Sequence, residues 1–533
     1  MLGLPFKACE RHPPELEAPR TDSAMVVSAH PQASQVGVTI MQQGGNAYDA
    51  AIAVHFALAV VYPSAGNIGG GGFAVFRHAE GTSGALDYRE TCPSGVDSLT
   101  FFNDERQVIE GRSLNGHLAA GIPGSVAGMA ALYDSLGTLP WATLMAPAIR
   151  LAREGFPLTR READKLRGAL PDIRRFSTQN PESLSRSGPW LEGDTLRLPE
   201  LAATLARIAQ DGRNGFYEGK TADLLIAEMQ RGGGGISRKD LRRYEAIWRE
   251  PVRGRFHDYE IFTMPPPSAG GIALVQMLES VEDFPLAQWG WQDPRTLHTM
   301  TEAERWVYAD RSRWIGDPAF FEVPRAGLLD TTYIENRMAA TYHPDRAADS
   351  DTLGHGTPPF RESAHTTHFS VVDRDGNAIA VTTTLNQPFG SRVWVGGAGF
   401  LLNNEMDDFA LKPGVANRYG LSGGQANAVV PGKRMASSMC PTIVTRDGQL
   451  AYVLGSPGGS TIPTTVFQVA LNSMVHGMNM QEAVTAPRVH HQWKPDVVLM
   501  ENAAMHPAVL WGLWRRGHLT VPRMGFIGAA DCI

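Results

Sequence analysis

Cysteine is scarce. Four in 533 residues, Cys9, Cys92, Cys440 and Cys532, stand too far apart for a disulfide framework, and none has the C-x-x-C spacing of a structural zinc site. Long apolar runs are missing too. The best, residues 51–62, is broken by His55 and stopped by Pro63, short of the ~20 residues that span a bilayer. The first twenty residues carry Lys7, Glu10, Arg11, Glu15 and Glu17, with no apolar stretch of the ~7–15 residues that export signals use. Basic excess is absent: 48 Lys and Arg against 55 Asp and Glu leave a formal charge of −7, and no dense Lys/Arg run could track a phosphate backbone. The expectation is a chain with no nucleic-acid partner and no membrane span. The 43% hydrophobic content is ordinary for a globular protein.

The patterning that is present divides the chain. After a polar arm over residues 1–23, residues 24–28 read as a short buried strand. Residues 31–43 have helical apolar spacing and stop at Gly44-Gly45, and Asn46 can cap a second helix that ends at Pro63. Strands are expected at 73–76 and 85–88. Residues 123–244 are mainly helical, 251–262 alternate like one strand, and 270–278 and 297–314 return to helical spacing. Residues 344–364 are polar, rich in Gly, Pro, Ser and Thr, and read as an exposed loop.

Most motifs that suggest ligands are weak. The Gly66–Gly72 region follows a helix and precedes a strand, the reverse of a dinucleotide loop. Asp373-Arg374-Asp375-Gly376 begins like a calcium loop, but its twelfth position is Thr384 rather than Glu. His490-His491 are neighbours, and adjacent strand residues face opposite ways, so neither a metal nor any other cofactor is expected.

One junction points to chemistry. Residues 367–372 and 378–384 are β-branched strands about Arg374-Asp375-Gly376, a three-residue hairpin turn with Gly where a left-handed residue is needed. Facing residues should then sum to 750, which sets Asp373 opposite Asn377 and Thr366 opposite Thr384. A threonine hydroxyl is a feeble nucleophile unless a base adjoins it, and its own free α-amine is such a base. Cleavage before Thr366, by its Oγ attacking the His365 carbonyl, would create that amine. The plainer reading is threonine-rich sheet.

Three further stretches bear on that choice: Asn403-Asn404-Glu405-Met406-Asp407-Asp408-Phe409, Gly455-Ser456-Pro457-Gly458-Gly459-Ser460, and Asp87-Tyr88-Arg89-Glu90-Thr91. With Thr366-Thr367-His368 and Val26-Val27-Ser28-Ala29-His30-Pro31, they make the chain resemble the γ-glutamyltranspeptidases, N-terminal-nucleophile hydrolases that cleave glutathione. The resemblance implies an α+β, four-layer αββα sandwich, autoprocessed into a large subunit (24–365) and a small subunit (366–533) that stay one heterodimeric unit. It implies Thr366 as nucleophile, Thr384 as the threonine bonding its amine, and Gly458 and Gly459 as oxyanion donors. Arg89, with Ser437 and Ser438, would hold a substrate α-carboxylate; Asn386, Glu405 and Asp408 would hold its α-ammonium; Tyr419 would gate a lid loop. Taken alone, Glu405 and Asp408 read as solvated loop charges and Arg89 as a surface ion pair.

The activity so implied is transfer of the γ-glutamyl group from glutathione or other γ-glutamyl compounds to water, an amino acid or a dipeptide, without a cofactor. The resemblance also implies export, which the first twenty residues do not signal. Two alternatives remain: a cephalosporin or glutaryl side-chain amidase of the same superfamily, and an uncleaved, inactive binding homologue.

Overall fold

The computed structural model describes residues 15–358, 368–412, 417–421 and 423–533. Cys9, His365, Thr366, Thr367, Pro413 and Gly414 fall outside the described residues.

Two sheets form the centre. The first runs, in spatial order, Met25–Val27, Phe369–Val372, Ala378–Thr384, Gly71–Arg77, Ser83–Tyr88 and Ile247–Arg249, every neighbour antiparallel. The second runs Gln449–Leu454, Thr442–Arg446, Tyr259–Thr263 and Val252–Phe256, also antiparallel. Alternation along single strands shows how they stack. Ile379 and Val381 join the apolar cluster that contains helix Ala47–Val61, whereas Ala378 and Ala380 join the cluster shared with the second sheet. Ala74 and Phe76 likewise face the helices, and Phe73 and Val75 face the second sheet. Period-two alternation thus gives each strand of the first sheet two apolar faces, so it can lie between layers. Helices Gly270–Val281 and Ile462–Met474 pack on the far side of the second sheet. The result is the expected αββα order.

Local signals account for most elements. Asn46 caps Ala47–Val61 through a capping box with Asp49, and that helix is buried along its whole length. The hairpin pairs Val372 with Ala378 and Phe369 with Val381, the 750 register, and Gly376 turns it with φ +88°. Residues 251–262 depart from the single strand expected. They form a hairpin, Val252–Phe256 and Tyr259–Thr263, reversed at His257-Asp258 with His257 at φ +52°. Residues 344–358 are irregular, as expected, yet not simply exposed: Ser350 is buried and donates its N–H to Asp496, and Gly356 donates to Asp310. No helix among the described residues is long and apolar enough to cross a membrane.

Strands from both sides of the 365/366 junction alternate in the first sheet, since Met25–Val27 pairs with Phe369–Val372 and Gly71–Arg77 with Ala378–Thr384. The glycine run before Gly71–Arg77 serves this closeness. A Cβ on Gly70 would stand 2.0 Å from the Thr384 carbonyl oxygen.

Candidate active site

The site is assembled where the hairpin strand Ala378–Thr384 ends. Thr384 accepts the Asn386 N–H on its hydroxyl at 2.7 Å, a side-chain-stabilised turn that carries Asn386 to φ +71°. Asn386 then donates its amide to the Asn404 carbonyl at 3.0 Å. The paired asparagines act as cross-braces. Asn403 bonds Gly69 and Gly121, and Asn404 bonds Gln387 and Leu114, so the loops carrying the acids cannot shift independently.

Beyond them the short turn Glu405–Asp408 aims two carboxylates at Arg89. The Arg89 guanidinium is buried and lies 2.7 Å from Glu405, 2.8 Å from Asp408 and 3.3 Å from Glu90. Three acids on one cation leave excess negative charge in a dry place. Burial pushes Glu405 up to about 8 and Glu90 up to about 7, with the Arg89 charge only partly offsetting it. Asp408 is raised as well, by burial and then by Glu405.

A cleft of about 300 Å³ opens above the acids, lined by Thr384, Asn386, Glu405, Asp408, Ser437, Ser438, Gly458, Gly459 and Tyr419. Nine of the expected site residues therefore share one cavity. Arg89 sits behind its acids instead of lining the cleft, and Thr366 is outside the described residues. Gly458 and Gly459, at φ +148° and +61°, begin the helical run that leads into Ile462–Met474, where first-turn N–H groups have no partner within the helix and suit an anion. Glycine is required by space: a Cβ on Gly459 would stand 2.5 Å from the Tyr419 ring. Tyr419 is held there by its hydroxyl, which donates to the Asn386 carbonyl at 2.7 Å.

Sequence reasoning missed Arg311. It lies on helix Pro294–Trp314, lines the cleft, and donates to the Ser438 hydroxyl at 3.0 Å. Because guanidinium only donates, Ser438 must accept, and its own proton is left free for the cleft. The helix is legible over 297–314 but its buried polar face is not, because Glu302, Glu304, Arg305 and Asp310 are all buried on it, and periodicity assigns such residues to solvent. Three residues near its start and the chain end, His298, Glu302 and His518, come within metal-binding reach of one another. They are already a hydrogen-bonded network, however. His298 and His518 join at 2.7 Å, His298 also bonds the His343 carbonyl, and Arg305 lies 3.3 Å from Glu302. His490 and His491 are buried and bond Thr464 and Asp496, respectively.

Layer order and a cleft at a threonine-bearing strand end define an N-terminal-nucleophile hydrolase, the class whose members mature by cutting themselves. The γ-glutamyltranspeptidase model matches residues 33–533, and the chain belongs to that family. It is 45% identical over 484 residues to the glutathione hydrolase proenzyme of Escherichia coli (strain K12), covering 91% of this chain and 83% of that one. The cephalosporin acylase of Bacillus halodurans superposes with a TM-score of 0.85 at 27% identity, over 99% of this chain and 94% of the other. The γ-glutamyltranspeptidase of Helicobacter pylori gives 0.62 at 38% identity, over 64% of this chain and 97% of the other.

Proposed function

We propose that the protein is a proenzyme that cuts its own His365–Thr366 bond and then acts as a γ-glutamyltransferase and glutathione hydrolase. The Thr366 α-amine takes the proton of its Oγ, and the oxygen attacks the γ-glutamyl carbonyl. The N–H groups of Gly458 and Gly459 receive the tetrahedral oxyanion, a role in which one donor is worth about 3 kcal/mol. The ammonium returns the proton to the departing amine, leaving a γ-glutamyl ester on Thr366. Water or the amine of an amino acid or dipeptide then resolves the ester. Thr384 holds the Thr366 amine, Ser437 and Ser438 donate to the substrate α-carboxylate, and Asn386, Glu405 and Asp408 hold its α-ammonium. Arg89 engages that carboxylate once the ammonium has drawn the acids away.

The observation carrying this reading is the convergence of Glu405 and Asp408 on one cleft with Ser437, Ser438 and the glycine pair. A zwitterionic amino-acid head offers both charges that such a cleft discriminates. A glutaryl amide lacks the ammonium that would take the acids from Arg89, so Arg89 would stay held by Glu405 and Asp408 and unable to engage the substrate carboxylate, which disfavours the amidase alternative.

Thr366→Ala is expected to migrate as one full-length band on a denaturing gel and to leave glutathione intact, while the wild type gives two fragments. Cleavage at the same bond in that variant sinks the reading. Faster turnover of glutaryl-p-nitroanilide than of γ-glutamyl-p-nitroanilide by the wild type would instead favour the amidase.

A further inference from the structure

A second cavity, of about 620 Å³, continues the cleft beyond Tyr419 and Gly458, which belong to both. Its charged lining differs from that of the first, where Glu405 and Asp408 stand together with Arg311 and Lys165. Arg392, Arg418 and Arg523 line it, and among the described residues no Asp or Glu does. They reach it from three directions: the loop after strand Ala378–Thr384, the Tyr419 loop, and strand Thr520–Arg523. None of the three forms an ion pair among the described residues. Asp172 pulls on Arg392 from beyond ion-pair distance, Asp407 accepts the Arg418 backbone N–H at 3.1 Å without pairing with its guanidinium, and the Arg392 guanidinium lies 5.8 Å from the Phe389 ring centre. Burial penalises the charge on Arg392 and lowers its pKa, so keeping the guanidinium there without a counter-ion has a cost. Three separate elements bringing uncompensated guanidinium groups to one cavity is the arrangement that binds planar carboxylates.

We propose that this cavity is the binding site for the carboxylates of the peptide on the amine side of the reaction, and that it gives the enzyme a preference for acidic peptides. The inference rests on the γ-glutamyl-transfer reading for the peptide's role. The amine that leaves and the amine that arrives approach the same acyl carbonyl from the same side. Because the cavity joins the cleft at Gly458, one set of arginines serves both. The ligand chemistry is a peptide carboxylate, borne either by the departing peptide or by the acceptor.

Transfer from γ-glutamyl-p-nitroanilide to Gly-Glu is expected to show a KM for acceptor about ten-fold below that for Gly-Gln, the uncharged peptide of equal size. In the double variant R392N/R523Q, where Asn tolerates the left-handed backbone of residue 392 (φ +67°), the two KM values should converge. Hydrolysis of the donor without acceptor should be unchanged. Arg523→Gln alone, at an exposed strand position, should lose part of the preference and guards against misfolding of the double variant. Hydrolysis of γ-glutamyl-glutamate against γ-glutamyl-glutamine, without acceptor, separates the departing peptide from the arriving one. A preference for acid in either arm that the variants abolish supports the site. Equal handling of both pairs by the wild type, or loss of acceptor-free hydrolysis in the variants, overturns it. Calorimetric titration of the full chain with triglutamate and triglutamine keeps the two readings apart. Tighter, arginine-dependent binding of triglutamate by a protein that releases no p-nitroaniline would fail the transfer reading and leave the site standing. Turnover without that binding difference would do the opposite.

Discussion

The two sides of Tyr419 are built from opposite charges by different means. On one side Glu90, Glu405 and Asp408 surround a single buried guanidinium, Arg89, within 3.3 Å. On the other, Arg392, Arg418 and Arg523 line a cavity that has no acid among the described residues. The acid side is a closed, braced network whose charge is mostly spent internally; the basic side is open and uncompensated. In the proposed reading a closed network recognises by exchange, since an arriving ammonium would have to replace Arg89 as the partner of the acids. An open one recognises by adding a partner. The first would give sharp selection for one head group, and the second a graded preference among many tails.

The largest effect expected to break this contrast is Asp408→Asn. It keeps shape but removes one of the acids, and donor kcat/KM should fall by about 10²-fold or more, read by p-nitroanilide release. The Gly-Glu over Gly-Gln preference should survive in the residual activity, because the basic side is untouched.

pH sharpens the contrast next. Glu405 and Glu90 ionise only near 8 and 7, so raising the pH from 6 to 8 charges the acid side. The kcat/KM for γ-glutamyl-p-nitroanilide should rise about ten-fold over that range, and that for the glutaryl analogue should not. Stability moves the other way. A carboxyl whose folded pKa is raised contributes stability below its unfolded value of about 4.5 and loses that contribution as pH climbs through its folded value. Glu405→Gln should therefore raise the melting temperature more at pH 8 than at pH 5 in scanning calorimetry.

A smaller effect belongs to the shared wall. Tyr419→Phe removes the 2.7 Å bond to the Asn386 carbonyl, worth about 1 kcal/mol, so transfer should slow roughly five-fold with both charge preferences retained. Arg446→Gln, at the exposed pair with Asp258 far along the second sheet, should change neither preference nor melting temperature.

How far these features could be read in the sequence differs by element. The hairpin was legible to the register, because Gly376 demands its turn and β-branched residues mark its strands. Asn46 announced its helix. The strand expected at 251–262 hid a reversal, since His257-Asp258 is not a usual turn pair; the one signal was the shift of apolar phase from Val252 and Phe256 to Tyr259 and Ile261. The acids were found through their motif, but their grip on Arg89 was not. Arg311 escaped because a helix crowded with Glu302, Glu304, Arg305 and Asp310 looks solvated until its partners, Asp496, His491 and Tyr333, are in place.

Sequence alone determined what depends on neighbours along the chain: caps, turns, strand alternation, hairpin register and the stretch of residues that carries the acids. These are set by backbone preferences acting over a few residues. Tertiary structure decided which charges meet. Arg89 finds acids more than 300 positions away, and the three arginines converge from separate elements, because folding alone brings such distant groups within reach and removes the water that would otherwise screen them.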